Sequence, residues 1–212
     1  MTKTPILIAL ALLAIASPRT LHSHTAAPEQ EPQQRKEQQT PAPTRRIRLA
    51  RDTVIDGIPC APTGRAYAEF HQPDNRLAEC PLSRDFTVRG HAFPAGTWVV
   101  LHPDGRLRLA WLSRNAPVGP TTCKGTGYKE WVTTFHDDGT LATCYLPRAR
   151  TIDGIPCRAG TIWGEITGGV TVHFHPDGRL ASCSLSRAIT IEGERHRART
   201  RLHLDQDGHV RQ

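Results

Sequence analysis

The stretch TIDGIPCRAGT at residues 151–161 nearly repeats TVIDGIPCAPTG at residues 53–64. A second unit, HPDGRL, stands at residues 102–107 and again at 175–180. Self-similarity of this kind marks a repeat architecture and outranks any local reading. Laid over the rest of the chain, the two units define modules at residues 51–84, 85–114, 115–148, 149–187 and 188–212. Four modules close on Leu-Ser-Arg or Leu-Pro-Arg, at Leu82, Leu112, Leu146 and Leu185. The fifth stops just after its turn.

Each module reads as three short strands. The first ends in Ile/Val-x-Gly, as at Ile55, Val88, Ile152 and Ile191, while module three is irregular at Val118-Gly119. The second is β-branched and aromatic, as in Trp98-Val99-Val100-Leu101. A turn follows at Pro103-Asp104-Gly105, Asp137-Asp138-Gly139, Pro176-Asp177-Gly178 and Gln206-Asp207-Gly208, with Asp74-Asn75 in module one. Pro presets φ, and Gly or Asn accepts the left-handed position, so these are hairpin turns. The third strand carries Leu77, Leu107, Leu141 or Leu180. No segment keeps a helical period. The fold class is therefore all-β, with stacked three-stranded meander or hairpin repeats. An open or solenoid-like sheet is expected, with a closed barrel or small propeller as the alternative.

The cysteines follow the repeat. Cys60, Cys123 and Cys157 lie between the first and second strands, and Cys80, Cys144 and Cys183 in the third. Module two has Phe93 and Ala110 at these positions. Module five has His196 at the first and ends before the second. A module thus has both cysteines or neither, which pairs Cys60 with Cys80, Cys123 with Cys144 and Cys157 with Cys183. The large residue at Phe93 and the small one at Ala110 would refill the volume of the missing bridge. The Cys-x-x-Cys spacing of zinc ribbons is absent.

Outward from the modules, residues 5–16, PILIALALLAIA, follow Lys3 and end in small-x-small. The run is too short to span a bilayer, which takes about 20 residues. It reads as an export signal over residues 1–16, removed near Ala16, with no transmembrane span left after cleavage. Residues 17–46 are rich in Pro, Gln, Glu and Thr and read as a disordered tether. His22 and His24 within it lack anything to fix a third metal ligand. An even cysteine count and an export signal agree on an oxidising compartment, periplasmic or extracellular.

Chemistry is sparse. The chain of 212 residues carries no GxSxG elbow, HExxH pair, phosphate loop or dinucleotide fingerprint. One Met and 6% aromatics argue against a large cofactor cavity. No enzyme, cofactor or metal site is expected. A histidine precedes each turn, at His71, His102, His136 and His175, where module five has Asp205. Stacked in register these would form a column, which reads as a strand-ending polar residue copied by the repeat rather than a metal or pH site. His173 and His175 lie two apart on one strand face without a third ligand.

The formal charge is +7, with 27 Lys and Arg against 20 Asp and Glu. Without spaced stacking aromatics, that bias falls short of a nucleic-acid binder. RHRARTRLHL at 195–204 reads as one strand, with Arg195, Arg197, Arg199, Arg201 and His203 on one face and an apolar opposite face. It serves as a charged cap on the last sheet edge or as a binding row for an anionic polymer or lipid headgroup.

The unit aromatic/Leu-His-x-Asp-Gly-Arg/Thr-Leu, at residues 174–180 and 135–141, resembles bacterial hairpin repeats of the MORN type, nearest their antitoxin-like variants. The resemblance covers the turn and flanking strands of each module. It implies a non-catalytic binding or scaffold element and assigns no functional residue. The expected function is an exported binding or scaffold protein of the periplasm or cell surface, whose partner is a protein, a glycan or an anionic envelope polymer. The alternative is a secreted inhibitor or immunity-type protein that blocks one enzyme through the insert at 162–169, which contains Trp163.

Overall fold

The computed structural model describes residues 43–126, 129–161 and 170–211. The leader at 1–16, the tether up to residue 42 and the insert at 162–169 lie outside the described residues. Every regular element among the described residues is a β-strand. Strand β1 (Thr44–Ile47) leads in. Module one supplies β2 (Thr53–Ile55), β3 (Ile58–Cys60), β4 (Ala68–His71) and β5 (Arg76–Pro81). Module two supplies β6 (Phe86–Val88), β7 (His91–Phe93), β8 (Trp98–Leu101) and β9 (Leu107–Trp111). Module three supplies β10 (Ala116–Val118), β11 (Thr121–Cys123), β12 (Val132–Phe135) and β13 (Leu141–Tyr145). Module four supplies β14 (Arg150–Ile152), β15 (Ile155–Cys157), β16 (Thr171–Phe174) and β17 (Leu180–Ser184). Module five ends the array with β18 (Ile189–Ile191), β19 (Glu194–His196) and β20 (Arg201–His203).

A full module therefore holds four strands, not three. The first two form a hairpin of their own, and the other two join one antiparallel sheet of ten strands, ordered β1-β4-β5-β8-β9-β12-β13-β16-β17-β20. The sheet is open, with β1 and β20 at its ends. The tether also ends earlier than its composition indicates. Thr44 to Arg46 pair with β4, and Arg46 Nε meets Glu69 Oε1 at 2.8 Å across the strands.

Two turn types generate the module. Four of the five small hairpins turn through two residues with positive φ, such as Asp56 at 50° and Gly57 at 80°, or Asp153 at 47° and Gly154 at 80°, while module three turns through Gly119-Pro120. That is the tight turn whose twist suits a hairpin. In modules two to five the sheet strands turn through three residues and close on a glycine, as when the Gly105 and Gly178 amides donate to the His102 and His175 carbonyls, while module one turns through residues 72–75 and closes on Asn75 at φ 52°. In modules two, three and four the turn aspartate accepts an amide two residues on, as Asp104 does from Arg106 and Asp177 from Arg179, both at 2.9 Å.

A bulge accompanies the turn in modules one to four, as between Glu69/Phe70 and Leu77/Glu79 or between His173/Phe174 and Leu180/Ser182. It puts one extra residue into the outgoing strand. Leu77 and Cys80, three apart, would face opposite ways on a regular strand, yet both are buried in the same core. Leu141 with Cys144 and Leu180 with Cys183 repeat the arrangement. The small hairpin steadies the bulge: Asp56 Oδ2 accepts the Leu77 amide, and Asp153 Oδ2 the Leu180 amide, each at 2.7 Å.

The hairpins close one face of the sheet. Ile58, Val88, Phe93, Val118, Ile152 and Ile155 pack from the hairpins against Phe70, Val99, Leu107, Phe135, Val172 and Leu202 of the sheet, and a single core runs through all five modules. Three disulfides cross this interface, Cys60–Cys80, Cys123–Cys144 and Cys157–Cys183. In module two, Phe93 and Ala110 occupy the same two positions, 2% and 0% exposed.

Neighbouring modules are stitched by side chains that donate forward. His71 Nε2 donates to the Leu101 carbonyl at 3.0 Å, His136 to Phe174 at 2.9 Å and His175 to Leu204 at 3.1 Å. A carbonyl can only accept, so Nε2 carries the hydrogen in each. Arg76, Arg106 and Arg179 reach the carbonyls of Pro103, Asp137 and Gln206 in the next turn. Each such bond contributes about 0.5–1.5 kcal/mol.

Candidate binding face

With one face of the sheet closed by hairpins, the opposite face is overlaid in part by the loop between β11 and β12, beside a small apolar cluster of Trp131, Tyr145 and Val170. Register fixes what lies across it. One row runs Arg46, Glu69, Glu79, Val100, Leu109, Thr134, Thr143, His173, Ser182, His203. Trp98 and Trp111 are cross-strand partners in the next row, and Ser184 opposite Arg201 lies at that row's far end. The face thus passes from acidic through aromatic and hydroxyl to basic along the array.

The aromatic part belongs to modules two and three. Lys129 Nζ lies 4.0 Å from the Trp98 ring centroid and 4.6 Å from that of Trp111, and pairs with the Glu79 carboxylate. Lys124 Nζ lies 3.9 Å over Trp131 and donates to the Gly160 carbonyl at 2.9 Å. Trp131 is buried and stands edge-on to Tyr145 at 4.9 Å. A cation over a Trp face is stabilised by about 0.5–2 kcal/mol, so Lys129 fastens the loop between β11 and β12 onto the sheet, and Lys124 ties that loop to the segment after β15. Next along the row, the Thr134 and Thr143 hydroxyls are bonded at 2.7 Å.

The basic end is built by β16, β17 and β20. Cα pairing puts His173 on one side of Ser182 and His203 on the other. Arg201 Nη2 donates to Ser182 Oγ at 3.0 Å. These side chains, with His175 and Arg211, line a cleft of about 470 Å³. Burial holds the His173 imidazole below its ordinary range, and the positive charges of Arg201 and His203 add to this. Burial also lowers the Arg201 guanidinium.

The arginine row expected at 195–204 does not form. Its residues divide between two sheets: Arg195 lies in β19, paired with β18, and Arg201 in β20, paired with β17. Arg197 and Arg199 fall in the turn between, where Arg199 has φ 69°. The reason is the repeat itself. Arg199 stands where module two has Gly96, also at positive φ, and both amides donate at 2.8 Å to the leucine carbonyl that closes the preceding module, Leu185 or Leu82. Of the four arginines, only Arg201 reaches the basic cleft.

The histidines before the turns do not assemble a site. His71, His136 and His175 are spent on inter-module bonds, and Asp205 in module five instead accepts the amides of Asp207 and His209. Among the described residues, no three His, Cys, Asp or Glu side chains converge as metal ligands. His22, His24 and the insert with Trp163 lie outside the described residues. The Trp98/Trp111 pair and the Arg201 cluster have no motif in the sequence; both arise from strand pairing across modules. Comparison with known proteins finds no matching family model, curated protein or solved structure, so the chemistry of the face is what speaks for function.

Proposed function

We propose that this is an exported, non-enzymatic binding and scaffold protein of the periplasm or cell surface, and that the open face of the ten-stranded sheet is its contact surface. The observation that carries the reading is the division of the sheet's two faces. One is consumed by the core, while the other carries cross-strand rows through all five modules, overlaid only in part by the loop between β11 and β12 among the described residues. Three disulfides and the forward stitches hold that face in one geometry, which lowers the entropy cost of binding. The disulfides also fit an oxidising compartment.

The test is a pull-down from periplasmic extract with the wild type and two variants. Thr134→Arg with Thr143→Arg places bulk in the middle of the open face. Val54→Arg alters the hairpin side, where Val54 is already 67% exposed. The wild type and Val54→Arg should retain the same material, and the double threonine variant should lose it. Equal retention by all three would refute the open face as the contact. Envelope polymer in the eluate supports the scaffold reading, and one stoichiometric enzyme would favour the inhibitor reading instead.

A further inference from the structure

We propose that the basic end of the open face is a binding site for a phosphate-class oxyanion, held by Arg201 between the imidazoles of His173 and His203. The proposal deepens the open-face reading, on which it rests for biological context, by naming the ligand chemistry of one part of that face.

The first argument is uncompensated charge. Arg201 is only partly exposed, and its guanidinium carries five N–H donors. One meets the Ser182 hydroxyl, and the others meet no acceptor among the described residues. No described carboxylate forms an ion pair with it. The other titratable side chains that line the cleft are His173, His175, His203 and Arg211, none of them an anion, and the charges that act on His173 are those of Arg201 and His203. Partly buried cations are normally paired, and here none of the described residues supplies the partner.

Geometry supplies the second argument. Strands sit about 4.8 Å apart, so His173 and His203, on either side of β17, flank a gap roughly two strand spacings wide at the backbone. Ser182 forms its floor, 4% exposed, and its hydroxyl accepts from Arg201 while keeping its own O–H to donate. The gap therefore presents a planar guanidinium, one hydroxyl and two imidazoles. Arg N–H donors match the oxygen spacing of phosphate and sulfate bidentately.

The site also predicts a direction with pH. The groups around it are His173 from β16 and His175 just after it, Arg201 and His203 from β20, and Asp205, His209 and Arg211 from the final turn. Strand β17 adds Ser182 and Ser184, and β13 adds Thr143 and Tyr145. His175 is already committed through Nε2 to the Leu204 carbonyl. A bound dianion offsets the like charges that oppose protonation of His173. Binding and proton uptake then favour each other, and affinity rises as pH falls from 7.5 towards 5.5.

The test follows the His173 and His203 ring signals by NMR in the full chain, while inorganic phosphate or sulfate is titrated against chloride at equal ionic strength. Both rings should shift saturably. Arg201→Met, which keeps the aliphatic stem, should bind at least about tenfold more weakly, a loss of about 1.4 kcal/mol. Arg201→Lys should recover part of the affinity, which separates charge from folding. Sulfate, whose charge is constant in this range, should bind several-fold tighter at pH 5.5 than at 7.5 in the wild type and lose that dependence in His173→Gln with His203→Gln. Rings that do not respond, or Arg201→Met binding like the wild type, would overturn the site whatever the pull-down gives. Flotation with phosphatidylglycerol against phosphatidylcholine vesicles then assigns the source. Arg201-dependent retention on phosphatidylglycerol supports the site with a lipid headgroup as donor. Phosphate binding without retention supports it with a soluble phosphate.

Discussion

Module two has no cysteine pair, and Phe93→Cys combined with Ala110→Cys should install a fourth bridge. Phe93 ends β7 as Cys60, Cys123 and Cys157 end β3, β11 and β15, and Ala110 holds in β9 the place that Cys80, Cys144 and Cys183 hold in their strands. Both positions are fully buried in the same core. The two residues are 17 apart in sequence, for which loop closure alone gives about 3 kcal/mol of stabilisation. Against it stands the loss of the Phe93 ring, which lies edge-on to Phe135 at 6.2 Å. Truncating a buried Phe to Ala costs about 3–5 kcal/mol, and two sulfurs refill part of the space. The oxidised double variant should therefore lie within about 2 kcal/mol of the wild type, while Phe93→Ala falls by about 3–5 kcal/mol. With a urea slope of about 2 kcal/mol/M, the two variants should separate by about 1 M in midpoint. Urea titration by tryptophan fluorescence measures the midpoints, and thiol counting with peptide mapping reports the new link. Two free thiols in the folded, air-oxidised variant, or a midpoint equal to that of Phe93→Ala, would refute the equivalence of module two with its neighbours.

Asp153→Ala leaves the Leu180 amide at the bulge without its acceptor and should cost about 1–3 kcal/mol, read as a lowered melting temperature; Asp153→Asn should recover part of it. Arg199→Gly relieves a left-handed residue that carries a side chain, so it should be neutral to stabilising by up to about 1 kcal/mol and should leave oxyanion binding at Arg201 unchanged. The His209 imidazole, bonded through Nδ1 to Glu192 at 2.6 Å, is raised above its ordinary 6.5 by that carboxylate. Its stabilising contribution is complete below pH 6.5 and is lost as pH rises through the raised value. Glu192→Gln should remove that component from a plot of melting temperature against pH.

Fold class was legible because a repeat prints its turns many times. The count of strands in a module was not. Strand β3, Ile58–Cys60, has three residues with a proline at the centre, too short to show alternation, and it reads as the loop after Ile-Asp-Gly. The Asp-Gly turn was nonetheless a hairpin signal in its own right. The cysteine pairs could be read from joint presence and absence, although their spacing from the preceding leucine makes sense only with the bulge. The open face was harder. His173 and Arg201 lie 28 residues apart and meet only through β17, and alternation carried Arg195 to Arg201 along one strand where the chain in fact turns. Setting HRARTR at 196–201 beneath FPAGTW at 93–98 would have exposed that turn, because Arg199 falls under Gly96.

Each disulfide joins two cysteines that are consecutive in the chain, 20, 21 and 26 residues apart. A polypeptide that emerges N-terminus first therefore offers an oxidant the native partner before any competitor. When Cys80 appears, Cys60 is the one thiol ahead of it, and the cysteine-free stretch at 81–122 delays the next. Oxidation in order of appearance reaches the native set without a reshuffling step. The same order lets the hairpins of modules one, three and four be clamped to their strands before the following module arrives to accept the forward bonds of His and Arg. The array can thus be locked one module at a time, in the direction in which it is made.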